Sequence, residues 1–382
     1  MAHFDRRALL LLAAGGIAAS AGLRPDRGEA AMTAARQAGE WPVATPAEAG
    51  FAPDLEARID ALAADPRFGN LHSALVVRDG ALVAERYYEG PDEAWGRPLG
   101  TRRFGPDDLH DLRSVSKSVV GLLYGIALAE GIVAPPDAPL LAQFPEYPDL
   151  ADDPVRRRMT VGHALTMTLG TAWDEGLSYA DPRNSEHAME LADDRYRYAL
   201  DRPSVDEPGR KWTYNGGATA LIGRLIVKGS GQSLHEYAES RLFGPLGIRA
   251  SEWIRGRDGD CIAASGLRLR PRDLARIGRL ALDGGVWQGE RIVPADWLAA
   301  SFRAHASAGE LDYGYQWWLG PPAPDGRPGW VAGFGNGGQR LFLAPRLGLV
   351  VVVMAGNYNQ PDAWKLPVAI ITEAVLPALT RR

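Results

Sequence analysis

The 382-residue chain carries 42 basic and 47 acidic side chains, for a net charge of −5. Those charges are interspersed, which excludes the concentrated basic face that a nucleic-acid surface needs. A composition 46% hydrophobic and 23% charged suits a globular protein with a sizeable core, and a single cysteine, Cys261, excludes an internal disulfide.

The chain begins MAHFDRRALLLLAAGGIAASAG, with Arg6 and Arg7 ahead of an apolar run from Ala8 to Ala21. That run is short for a bilayer span and has the form of a signal peptide's hydrophobic region. Ala19-Ser20-Ala21 and Gly28-Glu29-Ala30 both offer small-residue cleavage sites, and the paired arginines suit a twin-arginine export route. Residues 1–30 are therefore expected to be a signal peptide and 31–382 a single domain, exported to the periplasm or beyond the cell. Once the signal is removed, no membrane span is expected.

Residues 32–70 read as alanine-rich helix, with Pro and Asp as start signals. HSALVVRDGALVAERYYEG (72–90) reads as a β-hairpin turning at Asp79-Gly80. Residues 112–290 read as mostly helical, with amphipathic pieces such as GHALTMTLGTAW and PRDLARIGRLALDGG. GYQWWLG and GQRLFLAPRLGLVVVVMAG return to strand, with a turn at Pro345-Arg346-Leu347-Gly348, and DAWKLPVAIITEAVLPAL closes the chain as a helix. Strands at both ends and helices in the middle predict an α+β fold. One antiparallel sheet is assembled from both termini, flanked by terminal helices, with a large, mainly helical region inserted. The cleft between sheet and insert is the natural ligand site.

Several chemistries lack their signatures. There is no Gly-x-Ser-x-Gly elbow and no His-Glu-x-x-His or paired Cys/His spacing for a metal. GFGNGGQ is followed by strand residues rather than a helix, against a dinucleotide loop. The seven histidines are scattered, so no Ser-His-Asp triad can be argued.

LRSVSKSVVGLLYG sets Lys117 three residues after Ser114, one helical turn away on the same face, at the head of an almost wholly apolar helix. Desolvation there would lower the lysine pKa; a drop of about three units from about 10.4 would leave a neutral amine able to take the serine proton. Free N–H groups at the helix start would suit an oxyanion. The competing reading is a helix-start serine with a lysine that snorkels to solvent. Two distant segments bear on the choice: WTYNGG, with Tyr214 just before another apolar helix, and GNGGQ, a glycine-rich corner before a strand.

Taken in that order, the three motifs resemble the serine hydrolases of the β-lactamase and penicillin-binding fold, most closely the class C β-lactamase-like esterases and 6-aminohexanoate-dimer hydrolases. The resemblance covers about residues 50–375 and extends to VVRDGALVAERYY, HALTMTLG and GLRLRPRDLARIGRLALDGG. It implies Ser114 as nucleophile, Lys117 as its base and Tyr214 as a proton relay to the leaving group. It also implies an oxyanion hole from the backbone N–H groups of Ser114 and Gln339, the latter on the Gly337-Gly338-Gln339 strand edge. The expected reaction is acyl transfer on a small ester, amide or peptide, with no metal or cofactor. Two positions depart from the lactamase pattern. Gly216 replaces an asparagine that binds the substrate's acylamino group, and Asn336 replaces a cationic carboxylate anchor worth about 1.5–3 kcal/mol. Both shift the expectation from β-lactamase or D-Ala-D-Ala carboxypeptidase activity towards esters or small linear amides. A non-catalytic binding or sensor protein of the same fold is the remaining alternative. Tyr179 falls where a second tyrosine stands near the leaving amine in the dimer hydrolases, with a packing tyrosine as the other reading. Trp173, Trp212, Trp317 and Trp318 lie near the motifs and are read as core first and cleft wall second.

Overall fold

A computed structural model describes residues 41–179 and 181–380; the expected signal segment lies outside them. The eight strands of the main sheet are, in chain order, β1 (Leu71–Arg78), β2 (Ala81–Tyr87), β3 (Ala306–Ala308), β4 (Leu311–Tyr313), β5 (Trp318–Leu319), β6 (Val331–Gly335), β7 (Gln339–Ala344) and β8 (Leu349–Ala355). Their spatial order is β3-β4-β5-β6-β7-β8-β1-β2, and each neighbouring pair is antiparallel. The N-terminal hairpin thus docks its first strand on the last one, with Val76 opposite Val351 and Ala74 opposite Val353. This is the sheet closed from both termini that the sequence predicts. β8, LVVVVMA, is buried along its whole length, as an unbroken apolar run demands when both faces of a strand are covered.

One face packs against the helical region through α5 (Pro271–Leu282), which sets Leu274 and Ile277 on Leu75, Leu341, Leu343 and Val352. The other face is covered by α1 (Leu55–Ala63) and by the C-terminal helix from Lys365 to Val375, through Leu55, Ile59, Leu366 and Ile370. At the centre of the helical region, α2 (Val115–Ala129) buries every residue from Val115 to Ala127. It lies against α4 (Gly216–Ser230), whose Leu221, Ile222 and Leu225 share the same core.

Local expectations fare unevenly. The Asp79-Gly80 turn is present, with both residues at positive φ (49° and 85°), the left-handed pair of a tight hairpin. Residues 41–54 are not helical: Ala44 N–H donates to Leu82 O, so this stretch runs along β2 and the helix begins only at Leu55. GHALTMTLGTAW forms only Val161–Leu165 as helix and breaks at Met167, whose φ is +58°. The helical region also contains a small sheet, His110–Asp111, Leu267–Leu269 and Ser251–Trp253. A hairpin of Glu89–Ala94 and Arg97–Arg103 precedes it, and its polar, Pro- and Gly-bearing strands carry too little apolar alternation to announce themselves.

Candidate active site

Ser114 is the N-cap of α2, and the residue before it, Arg113, holds a left-handed φ of +48°. That conformation is uncommon outside glycine and costs on the order of 1–3 kcal/mol, so its surroundings must enforce it. They do: Arg113 Nε sits 3.0 Å from Asp111 Oδ2, the guanidinium pairs with Glu93, and it stacks over the Tyr358 ring at 4.7 Å. Among the described residues the backbone N–H of Ser114 has no backbone acceptor, which leaves one donor free at the helix start.

β6 supplies the opposite wall. A side chain at Gly335 would collide with Leu112 O, and a methyl on Gly333 would lie 3.1 Å from Ser118 Oγ and Val115 Cγ1. Only a glycine-bearing strand lets the start of α2 approach this closely. Beyond the turn, Gly337 and Gly338 hold φ values of 90° and 98° and deliver Gln339 to the end of β7. Gln339 spends its side chain on the backbone, its Nε2 donating to Ala355 O (2.6 Å) and its Oε1 accepting from Ala355 N (3.1 Å). The side chain thereby locks β7 against β8. Asn336 is likewise engaged, donating to Asn359 Oδ1 (2.8 Å) and accepting from Asn359 N (2.9 Å).

Lys117 is buried at 1% exposure and donates to Ser114 Oγ (3.0 Å) and to Ala264 O (3.2 Å). It does not snorkel to solvent. Its Nζ lies 4.9 Å from the centre of the Tyr214 ring, and the Tyr214 hydroxyl interacts with both Ser114 and Lys117. Three residues from two distant parts of the chain therefore meet at one point.

The electrostatics differ from the expectation. Burial does push the Lys117 amine towards neutrality, but Glu186, Tyr214 and Glu175 together outweigh it and hold the amine above the ordinary lysine range. Glu186 Oε2 is 3.8 Å from Nζ, and its other oxygen accepts from Ser265 Oγ at 2.8 Å. Glu175 accepts from Gly216 N (2.6 Å), Trp173 Nε1 (2.6 Å) and the hydroxyl of Tyr179 (2.9 Å). Burial, reinforced by Glu186, pushes the Glu175 carboxyl up to about 8. Burial likewise raises Tyr214, with Lys117 opposing it. A lysine expected to rest neutral is thus set against two acidic side chains that sequence reasoning missed.

Gly216 accounts for how they fit. A Cβ there would stand 2.8 Å from Glu186 Oε2 and 3.2 Å from Glu175 Oε1, so the missing side chain is the space the carboxyl groups use. Tyr179 reaches the site through Glu175, and burial together with Glu175 raises its phenol well above the ordinary range. Of the four tryptophans, Trp317 is wholly core, while Trp173 is a buried donor to Glu175. Trp212 and Trp318 flank Tyr214, at 6.0 and 5.9 Å between ring centres. The scattered histidines are not all isolated either. His72 Nδ1 and His110 Nε2 are 2.7 Å apart beside Asp92 in a buried cluster, whose His110 stands four residues before Ser114.

Comparison with known proteins places the fold. The Beta-lactamase family model matches residues 57–367. The 6-aminohexanoate-dimer hydrolase of Paenarthrobacter ureafaciens is 28% identical over 334 residues, covering 81% of this chain and 76% of that one. A lovastatin esterase of Penicillium rubens is 29% identical over 154 residues, 38% of this chain and 37% of its own. A solved putative 6-aminohexanoate-dimer hydrolase from Bacillus anthracis superposes with a TM-score of 0.68 at 18% identity, over 87% of this chain and 86% of its own. EstCE1, a hydrolase with promiscuous acyltransferase activity, gives 0.66 at 15% identity, over 84% and 98%.

Proposed function

The chain belongs to the Beta-lactamase family, and on that premise we propose that it hydrolyses carboxylic esters or small linear amides through an acyl-enzyme on Ser114. The observation that carries the reading is the 3.0 Å bond between the buried Lys117 Nζ and Ser114 Oγ, at a helix start whose Ser114 N–H has no backbone acceptor. In the first half-reaction Ser114 Oγ attacks the carbonyl carbon and its proton passes to the Lys117–Tyr214 pair. The carbonyl π electrons move onto oxygen, which the N–H groups of Ser114 and Gln339 receive. Collapse expels the alcohol or amine, protonated by the same pair, with Tyr214 nearest to relay it. Water then repeats the sequence on the acyl-enzyme and frees Ser114. The 6-aminohexanoate-dimer hydrolase and the lovastatin esterase among its relatives support an amide or ester substrate.

Incubation with a fluorophosphonate probe and with p-nitrophenyl esters tests this. Wild type is expected to label and turn over, and Ser114→Ala to do neither; equal inertness of the two would remove the assignment. A β-lactam or D-Ala-D-Ala substrate is the second reading, favoured by the family model. Against it stands Asn336, which offers no cation and is already bonded to Asn359. Nitrocefin turnover comparable to ester turnover would reverse the order.

A further inference from the structure

Two of the polar neighbours of Lys117 Nζ, the Ala264 carbonyl and the Glu186 carboxylate, can only accept hydrogen bonds. One N–H of the amine is given to Ala264 O at 3.2 Å, the Glu186 carboxylate attracts the charge from 3.8 Å, and another direction of the amine points at Ser114 Oγ, 3.0 Å away. Whether that position carries a hydrogen or a lone pair decides whether Ser114 can give up its proton. Glu186 bears on this directly. It is 2% exposed, its Oε1 is satisfied by Ser265, and its Oε2 has no hydrogen-bond donor among the described residues. A buried anionic oxygen without a donor is costly unless a cation compensates it, and the cation it faces is Lys117.

We propose that Glu186 is a positioning residue for the Ser114 reaction: with the Ala264 carbonyl it fixes the direction of the Lys117 amine, and its charge keeps that amine protonated in the resting enzyme, so that turnover requires the loss of one proton from the Lys117–Tyr214 pair. This rests on the acyl-transfer reading above. Every charged or titratable group facing the amine acts in the same sense or from behind: Glu186 on α3 (Ser185–Leu191), Glu175 in the loop before it, Tyr214 ahead of α4, and Glu190 further along α3, which is itself paired with Arg195 at 3.0 Å. The sign follows. The active form has one proton fewer, so the rate climbs with pH, and removing the Glu186 charge eases the loss and moves the climb to lower pH.

The test is the pH profile of kcat/KM on a p-nitrophenyl ester for wild type, Glu186→Gln, Glu186→Asp and Glu175→Gln. Wild type is expected to keep climbing into the alkaline range. Glu186→Gln is expected to move the midpoint of the climb about one unit or more towards acid, while Glu186→Asp keeps the charge and stays near wild type. Glu175→Gln separates any titration of Glu175 itself. A Glu186→Gln midpoint coincident with wild type overturns the proposal. So does a wild-type profile already flat below neutral pH, which needs no variant to fold. Absence of both turnover and fluorophosphonate labelling at every pH would instead sink the hydrolase reading, so the two failures are distinguishable.

Discussion

Ser114 owes its setting to Arg113, whose left-handed backbone turns the chain from the His110–Asp111 strand into α2 and whose side chain is pinned by Asp111 and Glu93. Lys117 needs no such device, since helical spacing alone brings it one turn along on the same face. That difference explains what the sequence reveals at this scale. Ser114 and Lys117 are suggested by their spacing ahead of an apolar helix, but it is the order of the three motifs and the family they resemble that single them out together with Tyr214. Glu175 and Glu186 are not, because an acidic residue in a polar loop or at the start of a short polar helix reads as solvated surface until the fold buries it. The expected neutral lysine failed for the same reason: burial was visible in the apolar run, but the compensating carboxylates were not. Lys117→Ala is expected to lower kcat by about 10²–10⁴-fold, the usual worth of a positioned proton-transfer group. Steady-state kinetics on an activated ester, with melting temperature as the control, checks it, and a near-normal rate would remove the lysine from the mechanism.

Elements, rather than residues, set the width of the cleft. The approach of α2 to β6 rests on Gly333 and Gly335, and the glycine-rich corner at 337–338 rests on backbone conformations that other residues adopt at a cost. Gly335→Ala is therefore expected to push the start of α2 away from the strand and to cut kcat by about 10²-fold, the scale of a 1 Å misplacement. Near-UV circular dichroism and melting should show the fold retained; unchanged kinetics would show that the close approach is dispensable. The hairpin β1–β2 and the last strands were legible because tight-turn residues and apolar runs are local signals. The short helix Val161–Leu165 and the hairpin at 89–103 were not, since one is cut off by a positive φ at Met167 and the other lacks apolar alternation.

For the molecule as a whole, closing one sheet from both chain ends makes the cleft a product of long-range pairing. The order of strands and helices already predicts that architecture, whereas the surroundings of Ser114 depend on segments far apart in the chain, among them Glu175 and Tyr214. Among the described residues no helix is long and apolar enough to cross a membrane. The buried titratable groups also give stability a pH dependence. An unfolded glutamate ionises above about 4.5, whereas burial keeps the folded Glu175 protonated up to about 8 and Glu190 up to about 7. The folded state therefore binds more protons in that window and loses stability as pH rises through it. Burial lowers His72 and His110 to about 3, and these act oppositely, costing stability as pH falls below about 6.5. Between pH 6.5 and 8 the carboxyl groups alone dominate. The melting temperature should fall across that interval in wild type and fall less in Glu175→Gln; equal slopes would place the Glu175 titration elsewhere. The claim on which the rest depends is covalent acyl transfer at Ser114, and the most direct measurement is a pre-steady-state burst with a p-nitrophenyl ester, followed by mass analysis of the quenched enzyme. A burst approaching one p-nitrophenol per chain, with the acyl mass on the peptide containing Ser114 and neither signal in Ser114→Ala, is the predicted result. Steady turnover without acyl adduct, or an adduct on another residue, would contradict it.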